Sequence, residues 1–377
     1  MHIGPRIKLA RAKAQMSIRE LAELVGVSPT AISKFERGEA TPRQSTLLRL
    51  AKALSVGIEY FFREIKVETL APTYRKRSTL GKRKQEAIEA AIVEAVERYL
   101  TAEKLFPEDF FPQAELAKLP VKTVEEAEEA AGKVRRQWNL GSDPIEDLCG
   151  RFENRGIKVI ALEGPTGFDG FSCWVNEQVP VIAFNTSAPG DRQRFNLAHE
   201  LGHLVLDVQN STDIQKAAHR FAAALLVPRE AAFAELGRKR SNLSFQELLL
   251  LKRKYGVSMQ TWMRRALDLG IIDERTYSAL YRRLSARGMR IREPGNIPKE
   301  EPRRLHLLVH QALAENLITP SFAAILLGET RKRRIGLSNG QLEESAATVA
   351  PVYANDPELT AFSDADLEGL NENNLIV

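Results

Sequence analysis

Arg194-Phe195-Asn196-Leu197-Ala198-His199-Glu200-Leu201-Gly202-His203 is the stretch whose reading decides what kind of molecule this chain can be. Residues 192–206 read as a helix, and positions i and i+4 of a helix share a face. Both imidazoles therefore project from one side and can hold a single zinc ion. Imidazole nitrogen suits zinc, and a catalytic zinc keeps three protein ligands and one position open for water. Glu200 lies beside the pair, placed to take a proton from that water and pass it to a leaving amine. His199 and His203 are thus the candidate metal ligands and Glu200 the candidate general base.

Working outward, the apolar period before this helix is that of strands. Residues 157–162, 170–175 and 179–184 are short and rich in β-branched and aromatic residues, and Asn176, Glu177 and Gln178 form a hairpin connection between the last two. A strand immediately before the motif helix is expected to offer an edge to which a peptide could add as a further strand. Beyond the helix, residues 245–255, 260–269, 274–287 and 303–316 read as core-forming helices without chemistry. His306 and His310 repeat the four-residue spacing, but Leu307, Leu308 and Val309 lie between them and no acid or cysteine stands nearby, so they are read as chance neighbours.

The N-terminal residues 5–62 read as five short helices. Ser17 and Ser28 are placed as N-caps, Pro29 sits at a first helical position, and Gly26 and Gly38 punctuate the ends. The result is helix, tight turn, helix. The string Leu21-Ala22-x-x-x-Gly26-Val27-Ser28-x-x-x-Ile32-Ser33-x-x-Glu36-x-Gly38, with Pro42 following, resembles the XRE helix-turn-helix family. The resemblance implies a five-helix, lambda-repressor-like fold that lays residues 29–37 in the DNA major groove. Ser28, Thr30, Ser33, Lys34, Arg37 and Arg43 are the candidate DNA-contacting residues. Ile18 stands where the family often has Gln, which removes one positioning contact.

The motif helix, with Phe221-Ala222-Ala223-Ala224-Leu225-Leu226-Val227-Pro228 and Lys252-Arg253-Lys254-Tyr255-Gly256-Val257-Ser258, resembles the ImmA/IrrE metallopeptidases over residues 143–328. That resemblance implies a zincin-like, zinc-dependent endopeptidase that cleaves repressor proteins during stress or mobile-element induction. The family takes its third zinc ligand from a Glu on the next helix, with Asn or Asp four residues later. Here Gln215 and His219 hold those positions. A neutral amide is a poor substitute for a carboxylate on zinc. His219, one turn on, could complete a three-His set. Asp213 is offset around the helix, and the third ligand is therefore His219, Gln215 or absent.

Charge divides the chain as the motifs do. Residues 1–84 carry 18 Lys and Arg against 7 Asp and Glu, a balance of +11; with +5 for the whole chain, the remaining 293 residues carry −6. Residues 341–377 hold eight acids and no Lys or Arg. A basic end attracts polyanions by releasing condensed counterions. Cys149 and Cys173 are too few and too far apart for a disulfide framework. No apolar run approaches the length of a membrane span and no secretory signal opens the sequence, so a cytoplasmic location is expected.

The expected fold is mainly α with a small mixed or antiparallel sheet (α+β). The expected organisation is a helix-turn-helix domain (1–65), a basic linker (66–84), connecting helices (85–140), a metallopeptidase domain (141–328) and an acidic tail (329–377). Expected partners are double-stranded DNA, a repressor-type protein substrate, a toxin or other regulator, and a second copy of the chain. The contrasting expectation is an inactive repressor or antitoxin whose peptidase-like half senses a ligand or binds a partner. A third is self-cleavage within residues 66–84.

Overall fold

The computed structural model describes residues 3–67, 69–72, 80–107, 110–114, 116–209 and 212–329. Residues 68 and 73–79 of the basic linker, and the acidic tail from 330 onward, lie outside these described residues. The chain divides into a unit of residues 1–319 and a second of residues 320–377, in which Pro320–Leu327 is a helix.

Five short elements open the first unit: α1 (Ile3–Lys13), α2 (Ile18–Val25), α3 (Pro29–Glu36), α4 (Gln44–Leu54) and a 3-10 turn (Ile58–Phe62). Their limits are chemical. Ser17 Oγ accepts the Glu20 N–H while the Glu20 carboxylate accepts the Ser17 N–H, a reciprocal cap that starts α2. Gly26, at φ 68, ends it in the left-handed region that glycine tolerates. Ser28 caps α3 in turn, with Pro29 in its first turn. Ile7, Leu21, Ile32, Leu50 and Phe61 are fully buried and form the core of this region.

Beyond it come β1 (Leu70–Pro72), α5 (Lys82–Glu103), β2 (Leu119–Val121), α6 (Glu126–Gln137) and α7 (Leu148–Glu153). Strands β3 (Lys158–Leu162), β4 (Gly170–Val175) and β5 (Val179–Asn185) then lead into α8 (Gly190–Val205). The sheet order is β1-β4-β5-β3, with β4 antiparallel to β5 and β3 parallel to it. The three-residue hairpin connection places Asn176 at φ 50 and Glu177 at φ 60, a left-handed pair closed by the Gln178 N–H donating to the Val175 carbonyl.

Two readings of the sequence are revised here. The strand before the motif helix, β5, is interior, paired by β4 on one side and β3 on the other, so it offers no edge to a peptide. The stretch read as linker contributes structure at both ends. Leu70–Pro72 pairs antiparallel with β4, Leu70 facing Val175 and Pro72 facing Cys173, and Lys82 begins α5. That helix has two jobs. Its apolar stripe, Ile92, Val96 and Tyr99, packs with Cys173, Val175, Val181 and Ala183 of the sheet. Its acids hold the N-terminal region: Glu97 pairs with buried Arg6, and Glu94 takes Lys13 and the Tyr60 hydroxyl.

After α8 follow β6 (Leu206–Val208), parallel to β2, then α9 (Ile214–Leu226), α10 (Arg229–Leu236), α11 (Phe245–Tyr255), α12 (Met259–Asp268), α13 (Glu274–Ala286) and α14 (Arg304–Ala314). Strands β2 and β6, three residues each, have no periodic signal in the sequence. Beneath α9, fully buried Arg265 of α12 donates to both carboxylate oxygens of Glu128 and to the Val227 carbonyl, and Arg220 adds a second guanidinium to Glu128.

Candidate functional sites

Helix α8 is fixed before it presents any chemistry. The Gln193 amide donates to the carbonyls of Thr186 and Ala188, Arg194 pairs with Glu300, and Lys252 pairs with Asp191 at 2.6 Å. These groups are buried, where a polar side chain is tolerated only when bonded. Gly202 then lets α9 approach. A Cβ there would stand 3.1 Å from the Phe221 ring and 3.3 Å from Ala218 Cα. Close contact of α8 and α9 is what brings Gln215 and His219 alongside the motif histidines.

His199 Nε2 and His203 Nε2 converge to 3.1 Å. Two nitrogens each about 2.1 Å from one tetrahedral ion stand about 3.4 Å apart, so the pair is spaced to share zinc with little adjustment. The Gln215 side-chain amide lies 3.0 Å from His203 Nε2. Its oxygen and nitrogen are interchangeable by a flip, so the same amide can present oxygen to an ion held there. His219 sits differently. Its ring centroid is 4.4 Å from that of His199, and its Nδ1 is 2.7 Å from the Gln215 carbonyl oxygen. Asp213 caps α9, accepting the Gln215 N–H at 2.9 Å. Among the described residues no group of three or more His, Cys, Asp and Glu side chains is arranged to hold an ion. The donor set that fits zinc is two imidazoles and a neutral amide.

Glu200 points toward β4. Ser172 Oγ donates to Glu200 Oε2 at 2.7 Å, and the bare Cα of Gly170 lies against the same carboxylate. Neither residue was a candidate from sequence, because nothing local joins β4 to a helix 28 residues further on. Cys173, buried beside them, has its thiol pushed up to about 12 by burial and then by the Glu200 charge, which leaves it protonated and inert. Burial likewise raises Cys149.

On the N-terminal region, Thr30, Lys34, Arg37 and Arg43 are exposed and Ser33 is half-buried. Ser28, also exposed, spends its hydroxyl on the cap of α3. Arg37 donates to Ser33 Oγ at 2.7 Å and pairs with Glu39. The exposed face of α3 thus carries donors of both polar and cationic kinds.

A family model described as "Helix-turn-helix" matches residues 7–61, and one described as "IrrE N-terminal-like domain" matches residues 152–267. Among curated proteins, "Uncharacterized transcriptional regulator in ATPase CF(0) region" of Rhodospirillum rubrum is 39% identical over 64 residues, 17% of this chain and 59% of that protein. "Repressor protein C2" of Salmonella phage P22 is 39% identical over 61 residues, 16% of this chain and 28% of that protein. This chain therefore spans less than two thirds of either. "HTH-type transcriptional regulator ImmR" of Bacillus subtilis (strain 168) is 30% identical over 86 residues, 23% of this chain and 68% of that protein.

Proposed function

Because this chain belongs to the helix-turn-helix transcriptional regulators and carries an IrrE N-terminal-like domain, we propose that it is a DNA-binding regulator whose second half is a zinc-dependent endopeptidase acting on a repressor-type protein. The single observation that carries the enzymatic part is the convergence of His199 Nε2 and His203 Nε2 on one another at 3.1 Å, with Glu200 on the same helix. Zinc, when bound, acidifies a water toward neutral pH and polarises the scissile carbonyl. His199 and His203 would hold it, with Gln215 as third donor through its amide oxygen; His219 could serve only after its ring turned from its present place beside His199. Glu200 holds the proton given up by water and delivers it to the nitrogen of the leaving amine.

The DNA-binding half works through α3, its first turn toward base edges and Thr30, Ser33, Lys34, Arg37 and Arg43 supplying donors. Two copies binding half-sites about one helical turn apart is the arrangement we propose for the operator complex. DNA as partner implies action in the cytoplasm, and no helix among the described residues is long and apolar enough to cross a membrane.

The test is cleavage of a purified repressor-type protein by the zinc-loaded chain. Glu200→Gln is expected to lower the rate by about 10²- to 10⁴-fold while duplex binding is unchanged. A zinc-loaded wild-type chain that leaves every repressor-type protein intact contradicts the peptidase reading.

Gln215 favours a second reading, in which the domain has lost turnover and binds a toxin or other regulator instead. Gln215→Glu separates the two. A gain in zinc affinity or cleavage supports the decayed site, whereas no gain, together with loss in His219→Ala, supports a site rebuilt on His219.

A further inference from the structure

Glu200 is held from two sides by residues of β4 that the motif does not contain. On one side Ser172 Oγ donates to Oε2 at 2.7 Å. On the other, a Cβ added to Gly170 would lie 2.9 Å from Glu200 Cγ, closer than real Cβ atoms approach their neighbours, and 3.0 Å from Oε1, tighter than most such contacts. Gly170 does not have positive φ. What crowds this position first is therefore the Glu200 side chain, with the Ala183 carbonyl oxygen next at 3.3 Å.

A general base must present one oxygen of its carboxylate to water, and the two oxygens are equivalent until something distinguishes them. The torsion that turns a Glu carboxylate is broad and nearly two-fold, so packing must choose its orientation. Here the choice is made by contact. Ser172 is only 4% exposed, so its hydroxyl needs a partner inside the protein, and the bond to Oε2 provides one. Residue 170 carries no side chain, which leaves room for Oε1.

We infer that Gly170 and Ser172 are positioning residues for Glu200: the hydroxyl anchors Oε2, and the missing Cβ leaves the space that Cγ and Oε1 occupy. The chemical consequence rests on the peptidase reading; the placement of the carboxylate does not. The two residues act by opposite means, one by attraction and one by absence, so two unrelated substitutions should disturb the same side chain. Ser172→Ala removes the hydroxyl bond that Oε2 accepts. Gly170→Ala introduces a methyl group where the carboxylate now lies. Ser172→Thr keeps the hydroxyl and restores the anchor.

The experiment compares the zinc-loaded full chain with Ser172→Ala, Ser172→Thr and Gly170→Ala, reading the Glu200 side chain by crystallography, the zinc content, and the kcat and KM for fluorescein-labelled casein. Both Ala substitutions should leave zinc content unchanged, turn or disorder the Glu200 carboxylate, and lower kcat by about 10- to 100-fold with KM unchanged, as expected for a misplaced catalytic group. Ser172→Thr should return both the side-chain position and kcat toward wild type. A Glu200 carboxylate that keeps its position in both Ala variants overturns the inference, as does a wild-type kcat in either. If the wild-type chain itself fails to cleave casein and every repressor-type protein, the peptidase reading is what fails, and the position of Glu200 in the variants still decides the placement.

Discussion

The DNA-reading region and the metal-motif region of this molecule are written at different ranges along the chain. In α2 and α3 the defining bonds join residues three apart, Ser17 to Glu20 and Ser28 to Ala31. Around the motif histidines they join Gln215 to His203 across 12 positions, Ser172 to Glu200 across 28 and Arg265 to Glu128 across 137. Short-range caps set the limits of α2 and α3, while Arg6–Glu97 and Lys13–Glu94 tie the region to α5 from further along the chain. A site assembled from distant elements depends on buried polar contacts between those elements.

Substitutions at these contacts should make the contrast measurable. The largest effect is expected from Arg265→Ala, which strands the buried Glu128 carboxylate beside one remaining guanidinium. Breaking such a buried pair costs about 3–5 kcal/mol, and thermal unfolding followed by calorimetry should show residues 116–314 destabilised by that order. Ile32→Ala is the matched lesion in the N-terminal region. A fully buried branched side chain cut to Ala costs about 2–5 kcal/mol; loss of duplex binding with zinc content unchanged would keep the two regions separable, and loss of both would break the comparison.

Glu153 sharpens it through pH. The carboxyl is pushed up to about 7, chiefly by burial, which outweighs the backbone N–H bonds that Arg303 and Arg304 donate to it. A carboxyl raised on folding contributes stability that is fully present below its unfolded value, near 4.5, and lost as pH rises through 7. Glu153→Gln keeps an oxygen for those donors and removes the charge. Denaturant titrations from pH 5 to 8 should show wild type losing on the order of 2–3 kcal/mol relative to the variant, and parallel profiles would exclude Glu153 as the cause. The smallest effect is expected from Ser28→Ala, about 1 kcal/mol from the lost cap of α3, seen as weaker duplex binding without change in zinc content.

The same difference in range explains what could be read from the sequence. Ser17, Gly26, Ser28 and Pro29 announce the limits of α2 and α3 because capping is local chemistry, and Asn176 with Glu177 announces the β4–β5 hairpin for the same reason. The i, i+4 spacing of His199 and His203 was enough to predict that they share a face. Spacing could not rank Gln215 against His219, since both lie on one face of α9; only the packing permitted by Gly202 puts the amide against His203 Nε2 and turns the His219 ring onto His199. Gly170 and Ser172 were invisible because their significance is a contact between a strand and a helix. The strands β2 and β6 are too short to carry a period, and α5, whose stripe of Ile88, Ile92, Val96 and Leu100 was plain, gave no sign that its acids would grip Arg6 and Lys13.

Elemental analysis of the purified full chain, alongside His203→Ala, tests most directly whether two imidazoles here share an ion. About one zinc per wild-type chain is expected, as in other catalytic sites with an open position, with loss of that zinc in the variant and the fold retained. A wild-type chain that carries no zinc and takes up none when the metal is supplied contradicts that expectation.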